Sequence, residues 1–198
     1  MLENRMCKLT PRQHMKLNSI GNLVVIILFM ISFNLTWFSF DNTEFSLTQL
    51  HIKDDSWKNF EEFRKMCTEI NKNKYKDLPE DCEMLDRFKL AGTMFILMNG
   101  FAMFITVYNT LATAAMGWNI EVSILDYQFP HVLSPIAYTV AMIIWIVVLS
   151  IGFTSEFYAK SGFYLADFTT AATYGLAVHH TIFFRLFEEK DDFSLLIN

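Results

Sequence analysis

The sequence predicts an all-α integral membrane protein with a four-transmembrane-helix bundle and one extramembrane loop of about 50 residues between helices 1 and 2. Of its 198 residues, 53% are hydrophobic and only 19% are charged. The charges are bunched, so that residues 17–40, 90–120 and 127–155 contain none and residues 161–184 contain only Asp167. Each of these runs exceeds the roughly 20 apolar residues that a helix needs to cross a hydrocarbon core of about 30 Å.

These runs set the predicted boundaries along the chain. The transmembrane helices are 19–40, 90–114, 131–153 and 162–184. We expect cytoplasmic tails at 1–18 and 185–198 and a cytoplasmic connection at 115–130. The extracellular parts are the loop 41–89 and a short turn at 154–161.

The first apolar run is predicted to be a retained transmembrane helix. It is too long for the apolar region of a signal peptide, and no small-x-small cleavage site follows it. Trp37, Phe38 and Phe40 at its end are typical of an aromatic belt at the membrane interface.

The loop 41–89 shows a helical period in its second half. Apolar residues recur every three or four positions from Trp57 to Ile70, and a second helix is predicted to start at Pro79 and run into the next span. Trp57, Phe60 and Phe63 form a stripe that is a candidate partner-binding face, with an internal packing face as the alternative.

Two of the three cysteines, Cys67 and Cys82, share this loop. Two cysteines in one short extramembrane segment are typical of a disulfide formed in an oxidising compartment. Two unrelated free thiols are the alternative.

Charge alone leaves the orientation open. The loop carries nine Lys and Arg residues, which would favour the cytoplasm, but it also carries twelve acids and the predicted disulfide. The first tail is basic up to the membrane, and the first helix usually dominates. We therefore expect both tails inside, with the plasma membrane favoured and the mitochondrial inner membrane as the alternative.

Few polar side chains inside the spans could carry chemistry. Asn99 is expected to hydrogen-bond between helices, and Asp167 has either a structural role near the interface or a role in transport. His131, His179 and His180 lie at span ends where they are candidate haem or metal ligands, the alternative being interfacial histidines without a ligand.

No catalytic triad, phosphate loop or zinc-protease motif occurs, so we expect no enzyme and no cofactor. No basic stripe with interleaved aromatics occurs either, which argues against nucleic acid as a partner.

A short tail, one span, a loop with two cysteines and three closely spaced spans together resemble the claudin superfamily, which includes claudins, calcium-channel gamma subunits and AMPA-receptor regulatory subunits. In that family a tryptophan precedes two disulfide-bonded loop cysteines, and the resemblance assigns these positions to Trp57, Cys67 and Cys82. The chain departs from the family where Arg64-Lys-Met-Cys67 replaces a Gly-Leu-Trp cluster. It also shows a helical period where the family has a small antiparallel sheet.

This plan predicts a non-enzymatic accessory subunit of an ion channel or receptor, or a cell-junction component. Its partners would be the lipid bilayer and either a larger membrane protein or a second copy of the chain. One alternative is a structural subunit of an energy-transducing, possibly mitochondrial, membrane complex. Another is a small transporter or channel that uses Asp167 and Asn99.

We predict that peptide mapping without reductant links Cys67 to Cys82, and that an impermeant amine reagent on intact cells labels the loop lysines. Both results follow from a loop outside the cell. Free thiols in both peptides together with unlabelled lysines would place the loop in the cytoplasm.

Overall fold

The computed structural model describes residues 9–40, 43–52, 58–62, 64–65, 80–118, 120, 128–150 and 158–188. This part of the chain is mostly helical, with four long helices: α1 (Pro11–Phe33), α2 (Glu80–Trp118), α3 (Gln128–Ser150) and α4 (Ser161–Glu188). Three stretches within them are long and apolar enough to cross a membrane, Arg12–Phe33, Leu85–Trp118 and Phe129–Leu149. The prediction of an apolar helical membrane protein is confirmed for these three.

Helix α1 begins earlier than predicted. The backbone N–H of Thr10 donates to Gln13 Oε1 at 2.7 Å, and Gln13 N–H donates to Thr10 Oγ1 at 3.4 Å. This reciprocal pair is a capping box, and Pro11 occupies the first helical position, where its missing N–H costs nothing. The last residues of the predicted tail 1–18 therefore belong to the helix.

Helix α1 also ends earlier than predicted, at Phe33 instead of Phe40. Its last turn tightens through bonds from Asn34 N–H to Ile31 O and from Leu35 N–H to Ser32 O. The apolar run continues beyond this point as an extended segment, so Trp37 is buried and does not form the predicted aromatic belt. An apolar run alone does not distinguish a helix from a buried strand that follows it.

The second half of the chain follows the prediction more closely. Helix α2 starts at Glu80, directly after Pro79, and runs without interruption to Trp118. Helix α3 carries Pro135 near its start, and α4 begins at Ser161.

An antiparallel sheet joins the two connections that follow α1 and α3. Its strands are β1 (Phe38–Phe40), β2 (Thr43–Phe45), β3 (Gln49–Ile52), β4 (Lys58–Asn59) and β5 (Tyr158–Ala159), in the order β4-β3-β2-β1-β5. Phe38 lies opposite Phe45 of β2 on one side and opposite Ala159 of β5 on the other. Ser46 forms the turn between β2 and β3, since its side-chain oxygen accepts from Gln49 N–H at 3.0 Å.

The loop therefore differs from the predicted pair of helices. Residues 60–62 and 64–65 are helical as expected, but Lys58 and Asn59 at the start of the predicted helix are a strand, and β1 to β3 precede them. These strands have two to four residues, which is too short for an alternating pattern to appear in the sequence. Cys67 lies outside the described residues, so the disulfide stays a prediction.

The chain divides into two compact units. Unit 1 comprises Met1–Leu28, Phe101–Tyr138 and Thr169–Asn198, and unit 2 comprises Phe29–Gly100 and Thr139–Phe168. The sheet belongs to unit 2.

A substitution at Gly92 tests how closely α2 packs on the loop in unit 2. A Cβ atom at this position would overlap the backbone carbonyl oxygen of Leu47, whereas one at Gly100 would meet no atom within 4 Å. We expect Gly92→Ala to destabilise the protein by about 1–3 kcal/mol, because backbone must shift to admit the methyl group. The matched change Gly100→Ala removes a flexible helical glycine and should be neutral or stabilising by up to about 1 kcal/mol. Thermal unfolding in detergent micelles measures both, and equal midpoints for the two variants would contradict the packing.

Candidate functional site

Trp37 fixes the start of the sheet in unit 2. Its indole N–H donates to Ser32 O at 2.8 Å, so the side chain folds back onto the end of α1. Its backbone N–H donates to Phe45 O at 2.7 Å, and its backbone O accepts from Lys160 N–H at 2.8 Å. Because Trp37 is only 1% exposed, all of these bonds lie in the interior and hold three chain segments together.

Aromatic rings surround this indole. The ring of Trp37 lies 4.6 Å from that of Phe95 on α2 and 5.0 Å from that of Trp145 on α3, both edge to face. Phe38 stacks on Trp145 with ring centroids 4.7 Å apart. Edge-to-face and offset-stacked pairs add about 0.5–1.5 kcal/mol each beyond the area that they bury. The sheet is therefore fastened to two helices through one aromatic cluster.

A second core lies under strands β2 to β4. It consists of buried apolar side chains from the loop and the first turns of α2, namely Phe45, Leu50, Phe60, Leu85 and Phe88. Phe45 and Phe88 stack with centroids 4.3 Å apart and an angle of 6°.

Phe60 was a candidate for contact with a partner, and the structure places it inside this core instead. It therefore packs within the protein, as the alternative in the sequence analysis expected. Phe60 packs in the same core as Leu85 and Phe88 at the start of α2. Burial of its aromatic ring is more favourable than exposure of the ring to water. Trp57 and Phe63 lie outside the described residues.

Two ion pairs cross from residues 60–65 to the start of α2. Lys89 Nζ lies 2.8 Å from Glu61 Oε1, and Arg64 Nη2 lies 3.4 Å from Asp86 Oδ2. The hydrogen bond from Lys89 lowers the pKa of the Glu61 carboxyl. Beside the first pair lies a cavity of about 270 Å³ lined mainly by apolar atoms of Leu47, Thr48, Asn59, Phe60, Glu61, Lys89 and Thr93.

Several polar and aromatic side chains of the sheet and its turns are exposed on unit 2. Tyr158 on the edge strand β5 is 62% exposed, and Thr48, Gln49 and Asn59 are also exposed. This patch, which we call the sheet surface, is the candidate interaction site of unit 2.

The two polar residues predicted inside the spans have different surroundings. Asn99 is fully buried on α2, and its Nδ2 donates to Phe95 O in its own helix at 3.0 Å. Its Oδ1 is buried and has no hydrogen-bond partner among the described residues. Asp167 is exposed on α4. The structure does not bring the two together.

Unit 1 collects the predicted histidines. The rings of His131 on α3 and His180 on α4 stack with centroids 3.6 Å apart and an angle of 14°. Such stacking leaves no space for a haem plane between the two rings. His179 does not join this pair, because its Nε2 lies 3.3 Å from Nδ1 of His14 on α1.

His14 was missed by the sequence analysis because it was assigned to the cytoplasmic tail. The capping pattern of Thr10, Pro11 and Gln13 was the available signal, since it extends α1 back over His14. Within the described residues, no three His, Cys, Asp or Glu side chains converge as a closed metal site would require.

The remaining interior of unit 1 is also polar. Thr106 Oγ1 lies 2.7 Å from Ser134 Oγ and 3.2 Å from the Tyr138 hydroxyl, which links α2 to α3. Asn109 Nδ2 donates to Pro130 O at 3.1 Å between the same helices. Interhelical hydrogen bonds of this kind hold helices together in lipid.

No protein-family model matches the chain, and no curated protein matches it significantly.

Trp37 gives a direct test of the sheet anchor. We expect Trp37→Phe to lower the free energy of unfolding by about 1–3 kcal/mol, because it deletes the bond to Ser32 O and part of a buried ring. Trp118 is 51% exposed and is the matched control. Trp118→Phe should change stability by less than about 1 kcal/mol, since it alters only an exposed ring near Lys16. Thermal unfolding in detergent compares them, and a Trp37→Phe midpoint equal to that of Trp118→Phe would rule out the anchor.

Proposed function

We propose that the chain is a non-enzymatic four-helix membrane protein on the claudin-like plan. In this proposal it acts as an accessory subunit of an ion channel or receptor, or as a component of a cell junction. The observation that carries the proposal is the antiparallel sheet β4-β3-β2-β1-β5. The claudin superfamily has a small antiparallel sheet in the loop after its first span, and four of these five strands lie between α1 and α2.

Contacts of α4 support a fourth span. Near its start, Gly162 N–H donates to Thr36 O at 2.9 Å, just beyond the end of α1. Near its end, His179 lies against His14 in the first turns of α1. The 28 residues of α4 correspond to about 42 Å, which is long enough to cross a hydrocarbon core of about 30 Å.

The sheet surface is the proposed contact with the partner outside the membrane. It has a rigid base, because aromatic rings pack the start of the sheet against α2 and α3. A rigid surface loses little conformational entropy on binding. Tyrosine is also among the residues that most often dominate binding energy at interfaces, which makes Tyr158 the first residue to test.

Helix surfaces provide the second part of the proposed contact. Exposed apolar side chains on α2 include Leu97, Phe101, Phe104 and Leu111. In a membrane these groups face lipid or another membrane helix, so lateral docking needs no water-exposed apolar surface.

The experiment is purification of the full chain in mild detergent from cells that express it naturally, followed by quantitative mass spectrometry. We expect one membrane protein to be recovered in a fixed molar ratio. A second copy of the chain in that ratio would assign self-association, whereas a monodisperse monomer without a partner would overturn the proposal.

A matched pair of variants locates the contact. Tyr158 on β5 and Tyr164 on α4 are similarly exposed, at 62% and 61%. We expect Tyr158→Ala to reduce recovery of the partner about tenfold or more, since a hot-spot residue costs about 2 kcal/mol when truncated, while Tyr164→Ala retains the partner. Full recovery with Tyr158→Ala would remove the edge of the sheet surface from the proposed interface.

A further inference from the structure

Four of the five histidines of the chain lie in unit 1, on three helices. His14 is on α1, His131 is on α3, and His179 and His180 are adjacent on α4. The fifth, His51, is on strand β3 in unit 2. Ionisable residues inside membrane segments are costly and usually functional, so a cluster of four imidazoles calls for a chemical explanation.

The His14–His179 pair has the geometry of two ligands around one ion. Nδ1 of His14 and Nε2 of His179 are 3.3 Å apart, with the rings tilted by 48°. In a tetrahedral site with metal–nitrogen bonds of 2.0–2.1 Å, two ligand nitrogens are separated by about 3.3 Å. Imidazole nitrogen is a usual ligand of Zn²⁺, Cu²⁺ and Ni²⁺.

The outer nitrogens of the two rings do not line the proposed site. His14 Nε2 and His179 Nδ1 are buried and have no hydrogen-bond partner among the described residues. These outer nitrogens stay without a partner whether a hydrogen bond or a cation joins the inner nitrogens. The distance between the inner nitrogens and the tilt of the rings are therefore what indicate a shared ion.

Phe183 holds the two rings in place. It stacks on His14 with centroids 3.5 Å apart and an angle of 15°, and it lies 4.6 Å from the ring of His179. Contacts on both imidazoles restrict their rotation, so the two inner nitrogens are kept facing each other. Phe183 is a positioning residue in this arrangement.

We propose that His14 Nδ1 and His179 Nε2 form a binding site for one divalent transition-metal ion of the Zn²⁺ or Cu²⁺ type, with water in the remaining coordination positions. The site is open, since only two protein ligands face it among the described residues and the pair is only partly buried. His131 and His180 are not ligands here, because their rings stack face to face and their nitrogens are not directed at a shared point between the rings. This proposal is independent of the claudin-like function.

The test uses the full chain, purified in detergent with a histidine-free affinity tag. Cu²⁺ serves as the spectroscopic probe, and Zn²⁺ is titrated in competition with a chromophoric chelator. We expect one equivalent of metal per chain and a copper EPR spectrum with nitrogen couplings from two imidazoles. His14→Gln and His179→Gln should each weaken Zn²⁺ binding about tenfold or more, because even loss of groups that only orient a ligand costs 10–100-fold.

Two further histidines are the matched controls. His51→Gln and His131→Gln should keep wild-type affinity, since neither faces the proposed site. Binding that persists in the double variant His14→Gln/His179→Gln, or that is lost in His131→Gln alone, would overturn the assignment.

Wild-type measurements decide the question if the His14 and His179 variants fail to fold. A site in the folded protein raises the thermal midpoint with increasing Zn²⁺ by mass action. A midpoint unaffected by Zn²⁺, together with a copper spectrum lacking two imidazole couplings, would also overturn the proposal.

Discussion

The hydrogen bond from the Trp37 indole to Ser32 O is the constraint on which unit 2 depends. It turns the chain back immediately after α1, so the next three residues enter a strand and not another helical turn. The same residue bonds through its backbone to Phe45 and Lys160, on the two sides of β1. A buried indole with its N–H satisfied combines a large apolar area with a fixed direction, which a phenylalanine cannot supply. One side chain thus joins the end of a membrane helix to the start of a sheet.

The interiors of the two units are stabilised by different forces. Unit 2 is filled by stacked and edge-to-face aromatic rings. Unit 1 instead buries hydroxyl and amide side chains that bond to helix carbonyls, as when Thr113 donates to Asn109 O at 2.7 Å and Thr173 to Thr170 O at 2.6 Å. Both of these bonds lie within a single helix, so they satisfy buried hydroxyl groups without joining two helices. The links between helices in unit 1 come from other side chains, such as Thr106 with Ser134 and Asn109 with Pro130 O.

Sequence reasoning recovered the features that follow from hydropathy and missed those set by single residues. The apolar runs predicted α1 to α3 because a membrane helix must bury about 20 residues in lipid, a requirement that composition reveals directly. Pro79 also predicted the start of α2, because proline is favoured in the first turn of a helix. The sheet was not predicted, because strands of two to four residues are too short to show a period in the sequence. The available signal was Asp41 and Asn42, which follow β1 in the sequence and are residue types typical of hairpin turns.

The histidine cluster shows the same limit for a candidate site. His131 and His180 were predicted at the ends of spans, and the structure stacks their rings on each other. The partner of His179 was not foreseen, since no pattern in one chain states that residue 14 contacts residue 179. Long-range contacts of this kind are fixed by tertiary packing and are absent from local sequence.

The pairing of β1 with β5 has a consequence for how the protein is made. Phe38 and Ala159 are neighbours in the sheet but 121 positions apart in the chain. At roughly 5–20 residues per second, the ribosome needs about 6–24 s to supply the last strand after the first has emerged. During that interval the outer edge of β1 has unpaired backbone groups, and Trp37 lacks its bond from Lys160 N–H. The nascent loop is therefore most exposed to chaperones, and to mispairing with other strands, until translation reaches the start of α4.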